Sequence, residues 1–323
     1  MAQAQAPDDK YSIYDFSAGP TETGLRVGHW NVRGLGLASD ATKKINYVKC
    51  LINRHCFHIF AVAETMLRDS IRKTRTDIEG FRCERLDRKM KGDGSREKAS
   101  GGIMVYIHQG LKYVNIAANE LKGNLQYIIL RVSKPVKDDI VVIYNPPNDS
   151  HVARFTSYLD ILAANRNVLR YPVVVLGDIN IDQLNLTKYP KTHVDAMKNA
   201  LKRLNMEQQF NRITRLRPAD WSGAILDHIY TTNLILIREC DVMRINVSDH
   251  DIVYCVLSGT EMKPDIKQRH DSYEKSLEQF ASKKNSDIEV RILFYQAREW
   301  AGLAKEYARK VDELRSRLKA LSL

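Results

Sequence analysis

The sequence predicts an α/β fold with mixed sheets, on three observations. Short apolar runs that end abruptly at a polar residue occur along the chain, amphipathic helical patterns separate several of them, and residues 101–107 and 126–132 read as successive strands in a hairpin-like middle. Buried strands alternating with helices give an α/β architecture, while hairpin-linked strands make its sheets mixed rather than purely parallel. With 323 residues the chain can bury a full core, as one large domain or two small ones. Lys and Arg outnumber Asp and Glu by 50 to 39, a net charge of +11 that points to a polyanionic partner, nucleic acid above all. The five cysteines form no C-x-x-C pair, so neither a zinc site nor a disulfide framework is indicated and a reducing, intracellular setting fits. No apolar run reaches the roughly 18 residues of a membrane span, and the N-terminus lacks the apolar core of a signal peptide. Neither a span nor secretion is expected.

Residues Met1 to Thr23 are polar and aperiodic, and are expected to form a disordered leader. Leu25 to Leu35 reads as a strand running into a glycine turn, with Asn31 offered at its end. A helix is expected over Ala41–Asn53, where Ile45, Val48 and Ile52 share a face. His58 to Thr65 is an apolar run that stops at a lone acid, Glu64, which is costly to place there unless it is paired or bound to a cation. From Gly80 to Ser100 the chain turns basic, with Arg82, Arg85, Arg88, Lys89, Lys91, Arg96 and Lys98 around Gly92-Asp93-Gly94. That stretch reads either as a solvated loop between strands or as a loop tracking phosphates beside a site. Gly101–Ile107 and Gln126–Val132 follow as strands. Ile140 to Asn148 is a further buried strand; Pro146 and Pro147 end its pairing and hold Tyr144 at the rim. Residues 151–169 are helical in pattern, with Phe155, Leu159 and Leu162 in register.

The stretch Pro172 to Asn180 organises the rest. Val173, Val174, Val175 and Leu176 read as a strand buried on both faces, followed by Gly177 and then Asp178 and Asn180, two positions apart and therefore on one side of the strand end. An acid and an amide at the mouth of a sheet can hold a water or a metal against a phosphate; alone, the same residues read equally well as a turn. Val194, Met197, Leu201 and Leu204 mark another amphipathic helix. Ala224–Thr232 is a strand bearing Asp227 and Ile229 on one face, and Ile245–Tyr254 places Asp249-His250 at the start of a last strand. A carboxylate on one ring nitrogen of a histidine fixes its tautomer and raises the basicity of the other. In the tail from Lys263 to Leu323, Trp300, Leu303, Tyr307, Val311, Leu314, Leu318 and Leu321 follow one another at spacings of three and four. They fit a short coiled coil or an amphipathic helix docked on the domain. Residues 259–323 carry 14 basic and 11 acidic residues, so most of the positive excess lies in the body before them.

Taken in order, Asn31, Glu64, Tyr144, Gly177-Asp178-x-Asn180, Asp227 and Ser248-Asp249-His250 resemble the endonuclease/exonuclease/phosphatase superfamily, whose members include abasic-site endonucleases and DNase I. More finely, the chain resembles the endonuclease domain of non-LTR (LINE-type) retrotransposons. Thr65 after Glu64, Asp87-Arg88 before Gly101-Gly102, Tyr144-x-Pro146-Pro147-Asn148, the run Gly177 to Asp182, and the run Leu226 to Thr232 carry that finer likeness, over about residues 25–258. The resemblance implies a DNase I-like four-layer α/β/β/α sandwich over residues 24–258, with a leader (1–23) before it and a charged helical segment (259–323) after it.

It also implies chemistry. Glu64, Asn31 and Asp249 stand where the family holds Mg²⁺, or Mn²⁺ in its place. Asp178 would position or deprotonate the attacking water, Asn180 would steady charge on the phosphate, and His250, oriented by Asp227, would bind a phosphate oxygen or move a proton, with Tyr144 donating to the same phosphate. Either Asp178 or His250 could be the base. Arg33, Asn148, Arg85, Arg88 and Lys89 are expected to face nucleic acid. The sequence departs from the family at Ile179, where an aromatic is usual, and at Arg33, where cellular abasic-site endonucleases carry a metal-holding aspartate. Either Pro147 or Asn148 takes the place of the family's phosphate-contacting asparagine. These features lead to a Mg²⁺-dependent endonuclease of retrotransposon origin that nicks DNA and leaves a 3′-OH, expected in the nucleus. The chain has no aspartate-pair polymerase motif, so a reverse transcriptase partner would be encoded elsewhere or beyond its end. The alternatives are an inactive DNA-binding remnant and a phosphatase or RNA exonuclease of the same superfamily.

Overall fold

Two strands that pair in parallel cannot be joined by a tight turn, and each large sheet of this protein contains one such pair bridged by a helix. A computed structural model describes residues 19–35, 41–68, 70–87, 101–121, 124–165, 169–216, 223–245 and 248–258. In chain order these form β1 (Leu25–Asn31), α1 (Ala41–Arg54), β2 (Ile59–Ala63), β3 (Phe81–Leu86), β4 (Ile103–His108), β5 (Lys112–Leu121), β6 (Leu125–Lys134), β7 (Asp138–Tyr144), α2 (His151–Ala164) and β8 (Val173–Asp178). There follow α3 (Lys191–Arg203), β9 (Glu207–Gln208), β10 (Arg215–Leu216), β11 (Gly223–Ala224), β12 (Asp227–Thr231), β13 (Ile237–Met243) and β14 (Ile252–Leu257). One sheet runs β13-β14-β1-β2-β4-β3, the other β5-β6-β7-β8-β12-β9, and β10 with β11 makes a separate hairpin. Among the described residues, only β1–β2 and β7–β8 are parallel within the two large sheets. This is the mixed α/β, DNase I-like architecture.

The period of two along each strand sorts its residues between layers. Val27, Ile59, Ala61, Ile103, Val105, Ile128, Ile140, Val142, Val174, Leu176, Ile229 and Val253 meet between the sheets. The opposite set, including Val141, Ile143, Val173 and Val175, packs against Phe155, Leu159 and Leu162 of α2 and Met197 and Ala200 of α3. Each such buried aliphatic contributes roughly 1.5–3 kcal/mol, so both layers hold the second sheet rigid. The inter-sheet face of β7 ends in Tyr144, that of β8 in Asp178, and that of β12 begins at Asp227. Polar side chains therefore replace apolar ones along one edge of the core. Among the described residues, 46–56 belong to a compact unit separate from that of 19–45 and 57–258.

Several expectations are corrected. Arg85 is on strand β3, not in a loop. The final strand starts at Ile252, so Asp249 and His250 precede it and sit in a bend and an isolated bridge. At the end of the expected leader, Thr21 and Glu22 are held: both backbone N–H groups donate to Glu239 Oε2, at 2.9 and 2.8 Å. The rest of the leader before residue 19, the tail, Arg88 and Lys89 lie outside the described residues. No helix among the described residues is long and apolar enough to cross a membrane.

Candidate active site

Because β1–β2 and β7–β8 are parallel, the C-terminal ends within each pair lie side by side. Asn31 ends β1, Glu64 follows β2, and Tyr144 stands opposite Asp178 in the β7–β8 register. Asn31 is fully buried and joins the two sheets: its Nδ2 donates to Glu64 Oε1 at 3.0 Å and to Asp178 Oδ2 at 2.8 Å. Tyr144 donates its hydroxyl to the same Glu64 oxygen at 3.1 Å. Burial first, then Glu64 and Asp178, raise the Tyr144 phenol far above its usual range, so it remains a donor. Asn180 has a left-handed backbone (φ 54°) that turns its amide back onto Asp178, Nδ2 to Oδ2 at 3.0 Å. Gly177, at φ 150°, has no room for a side chain: a Cβ there would lie 1.9 Å from the Ile143 carbonyl oxygen. The glycine before Asp178 is thus required by the close approach of β7.

Antiparallel pairing sets Asp227 directly opposite Asp178. Both carboxylates are completely buried. Burial, and then the charge of Asp227, push the Asp178 carboxyl up to about 7. Burial also opposes the charge on Asp227, but His250 outweighs it, and the Asp227 carboxyl is held below its ordinary value. The partner effect is reciprocal: burial would depress His250, yet Asp227, 2.7 Å from its Nδ1, raises it to about 9. Two groups of raised proton affinity, Asp178 and His250, flank one carboxylate. On the other side of Asp227 lies His29, whose Nδ1 is 3.5 Å from Oδ1. Burial lowers His29 to about 4, so its ring is neutral.

Asp249, next to His250, is clasped by two guanidinium groups. Arg33 Nη1 and Arg215 Nε each donate to its Oδ2 at 2.8 Å. Arg33 has φ 46° and a side chain 54% exposed, and its backbone N–H donates to Asn31 Oδ1. Lys44 Nζ braces this turn from below by donating to the Val32 carbonyl at 2.5 Å. Burial, and then Arg33, lower the Lys44 ammonium from its usual value.

Residues 28–250 match the Endonuclease/Exonuclease/phosphatase family. The chain belongs to that family. Among solved structures, an AP endonuclease from Leishmania major is 15% identical, with 73% of this chain and 88% of that chain covered at a TM-score of 0.56. An AP endonuclease from Archaeoglobus fulgidus is 14% identical, with 72% and 99% covered at a TM-score of 0.50. At such identities these two likenesses are likenesses of fold. The endonuclease domain of TRAS1, a telomere-specific non-LTR retrotransposon, is 14% identical, with 74% and 100% covered at a TM-score of 0.49. No curated protein matches the chain.

For a member of the endonuclease/exonuclease/phosphatase family, the donor set fits a hard divalent cation. Glu64, Asp178 and Asp249 offer carboxylate oxygens, and the buried Asp178–Asp227 pair is a site of like-charge repulsion that a cation would relieve. Asp178, Asp227 and His250 also offer ligand atoms all within 4.8 Å of one another. Of the residues expected at the metal, Glu64 is half-buried at the strand end; Asn31 turns its amide N–H rather than its oxygen toward the carboxylates; and Asp249 shares an oxygen between two arginines.

The structure brings Asn31, Glu64, Tyr144, Asp178, Asn180, Asp227, Asp249, His250 and Arg33 to one site. Asn148 is exposed and its Oδ1 accepts from the N–H and hydroxyl of Ser150, so it caps its own turn before α2. Arg85 does not face outward: its side chain is 5% exposed and forks onto Asp87 at 3.1 and 2.5 Å, with a third bond to the Ile71 carbonyl. That geometry makes it a buried brace. Sequence reasoning missed Arg215, which follows Thr214 with no periodic signal, and His29. For His29 a signal existed, since the period of two puts it on the same strand face as Asn31.

Proposed function

We propose that the protein is a divalent-metal-dependent endonuclease, of retrotransposon origin, that hydrolyses phosphodiester bonds in DNA and leaves a 3′-OH. The observation that carries this reading is the buried Asp178–Asp227–His250 arrangement, in which a carboxyl near neutrality and an imidazolium flank one fixed acid beside two arginines. Phosphodiester hydrolysis needs a proton acceptor for the attacking water, neutralisation of the phosphate, and help for the leaving oxygen. Asp178, held by Asn31 and Asn180, orients the water and is one acceptor for its proton; His250, kept protonated by Asp227, donates to a phosphate oxygen. Tyr144 donates from the rim, and Arg33 and Arg215 supply positive charge toward the backbone. Glu64, with Asn31 and Asp249, would hold a divalent ion, which when bound supplies Lewis-acid neutralisation of the phosphate. The net charge of +11 supports a nucleic-acid substrate, reverse transcription from the freed 3′-OH would fall to a separate polymerase, and the setting is nuclear.

Incubating supercoiled plasmid with the purified protein tests this. Nicked circles should form with Mg²⁺ or Mn²⁺ and not in EDTA, and should be ligatable or extendable from a 3′-OH. His250→Ala and Asp178→Ala should each lower the rate by about 10²–10³-fold while DNA affinity changes little. DNA binding without nicking would identify an inactive remnant. Release of phosphate from small phosphate esters, with plasmid left intact, would identify a phosphatase.

A further inference from the structure

Nothing in the hydrolytic scheme uses His29, yet it lies against the carboxylate on which the scheme turns. It is on β1, on the face that Leu25 and Val27 bury between the sheets, where the strand pattern calls for another aliphatic side chain. Its side chain is completely buried, and neither ring nitrogen has a hydrogen-bond partner. Asp227 Oδ1 is likewise buried and without one. The two orphans, His29 Nδ1 and Asp227 Oδ1, are 3.5 Å apart. Asp227 Oδ2 meets His250 Nδ1 at 2.7 Å, so one carboxylate faces two imidazoles, one on each oxygen.

The backbone of Asp227 is already pinned, its N–H donating to Thr214 Oγ1 at 3.1 Å. The carboxylate itself is held by His250 on Oδ2 and by the Thr214 side chain, which leaves Oδ1 facing His29 with no hydrogen bond of its own. We propose that His29 is a positioning residue: its Nδ1–H engages Asp227 Oδ1 and fixes the plane of the carboxylate, so that Oδ2 stays on His250. Hydrogen bonds of this kind are often long before substrate binds and shorten in the working complex. His29 touches neither DNA nor the reacting phosphate; it acts through Asp227. The inference rests on the nuclease reading for its catalytic consequence, but its contact does not.

Two variants and a spectroscopic readout separate these. ¹⁵N-histidine labelling of the metal-free wild-type protein should show His29 carrying its proton on Nδ1. His29→Leu, which keeps the packing and removes the donor, should shift the ring signals of His250, whereas His29→Asn, whose amide stands in for Nδ1–H, should leave them near wild type. In nicking assays His29→Leu should lower kcat by about 10- to 100-fold with KM for plasmid unchanged, and His29→Asn should restore most of it. A proton on Nε2 of His29 in the wild type overturns the proposal. So does a His29→Leu protein with wild-type His250 signals and kcat. If His29→Leu does not fold, the wild-type tautomer and the Asn variant still decide. If the wild type never nicks while the ring signals behave as expected, the nuclease reading fails and the Asp227 contact stands.

Discussion

At the scale of single residues, the site is a set of charges held where water cannot screen them. Asp178 and His250 both have raised proton affinity, and the consequence for stability has a definite sign. Asp178 titrates near 3.8 when unfolded and near 7 when folded, so the metal-free fold loses stability as pH rises across that interval. His250 moves from 6.5 to about 9, so its contribution is fully present below 6.5 and is lost as pH rises toward 9. Asp178→Asn removes the first effect. In EDTA at pH 8 it should raise the thermal midpoint relative to wild type, and at pH 4 the difference should vanish; equal midpoints at both pH values would contradict the burial of an ionising Asp178. Arg33 offers a second test. Its guanidinium bonds to Asp249, in the position where abasic-site enzymes of this resemblance carry an acid. Replacing it with aspartate removes a cation and adds an oxygen donor, so Arg33→Asp should reach half-maximal nicking at lower Mg²⁺ than wild type. Identical titrations would show that Arg33 does not act on the metal corner.

Among the elements, legibility in the sequence follows position in the sheet. Central strands are legible because β-branched runs announce them and because Asn31, Glu64, Tyr144 and Asp178 interrupt those runs where an apolar residue is expected. The strands that escape notice stand at sheet edges or outside the sheets. β3 and β13 border one sheet, β5 and β9 the other, while β10 and β11 are two-residue pieces. An edge strand has a face to satisfy only partly and favours charge, which discourages pairing with other chains. Hence Arg82, Glu84 and Arg85 of β3 fall in a stretch that reads as a solvated loop, and Asn115, Asn119 and Glu120 in β5 and Arg238, Glu239 and Asp241 in β13 leave those strands without a strand signal. For the same reason Arg85 reads as a phosphate contact until its partner is seen. Since its pair with Asp87 is buried, Arg85→Ala should cost about 3–5 kcal/mol in urea unfolding by leaving the acid unpaired. The salt dependence of DNA binding should not change; a weaker salt dependence with unaltered stability would return Arg85 to the nucleic-acid surface.

For the molecule as a whole, the excess of positive charge predicts binding governed by counterion release. The logarithm of the DNA affinity should fall linearly with the logarithm of salt concentration, with a slope of about 0.9 per phosphate contacted. Arg215→Gln should reduce that slope by about one if its guanidinium meets the backbone, and fluorescence anisotropy with a short duplex across a salt series would show it. The sequence also carries the identity of most acids at the site, because polar residues at the ends of buried runs are conspicuous. It does not carry their pairings. That Asp249 is shared by Arg33 and Arg215, or that His29 backs Asp227, depends on which strands lie side by side. Contacts between residues so far apart in the chain leave no trace in local pattern.

The opposition of Asp178 and Asp227 across β8 and β12 has one more consequence. Their spacing is a repeat distance of the sheet, set by the ladder of backbone bonds between two central strands, and no loop can adjust it. Partial loosening of surface segments on warming should therefore leave this pair in place, and its spacing should persist until the ladder itself gives way. The pair and the strand structure would then be lost at the same temperature, in one transition.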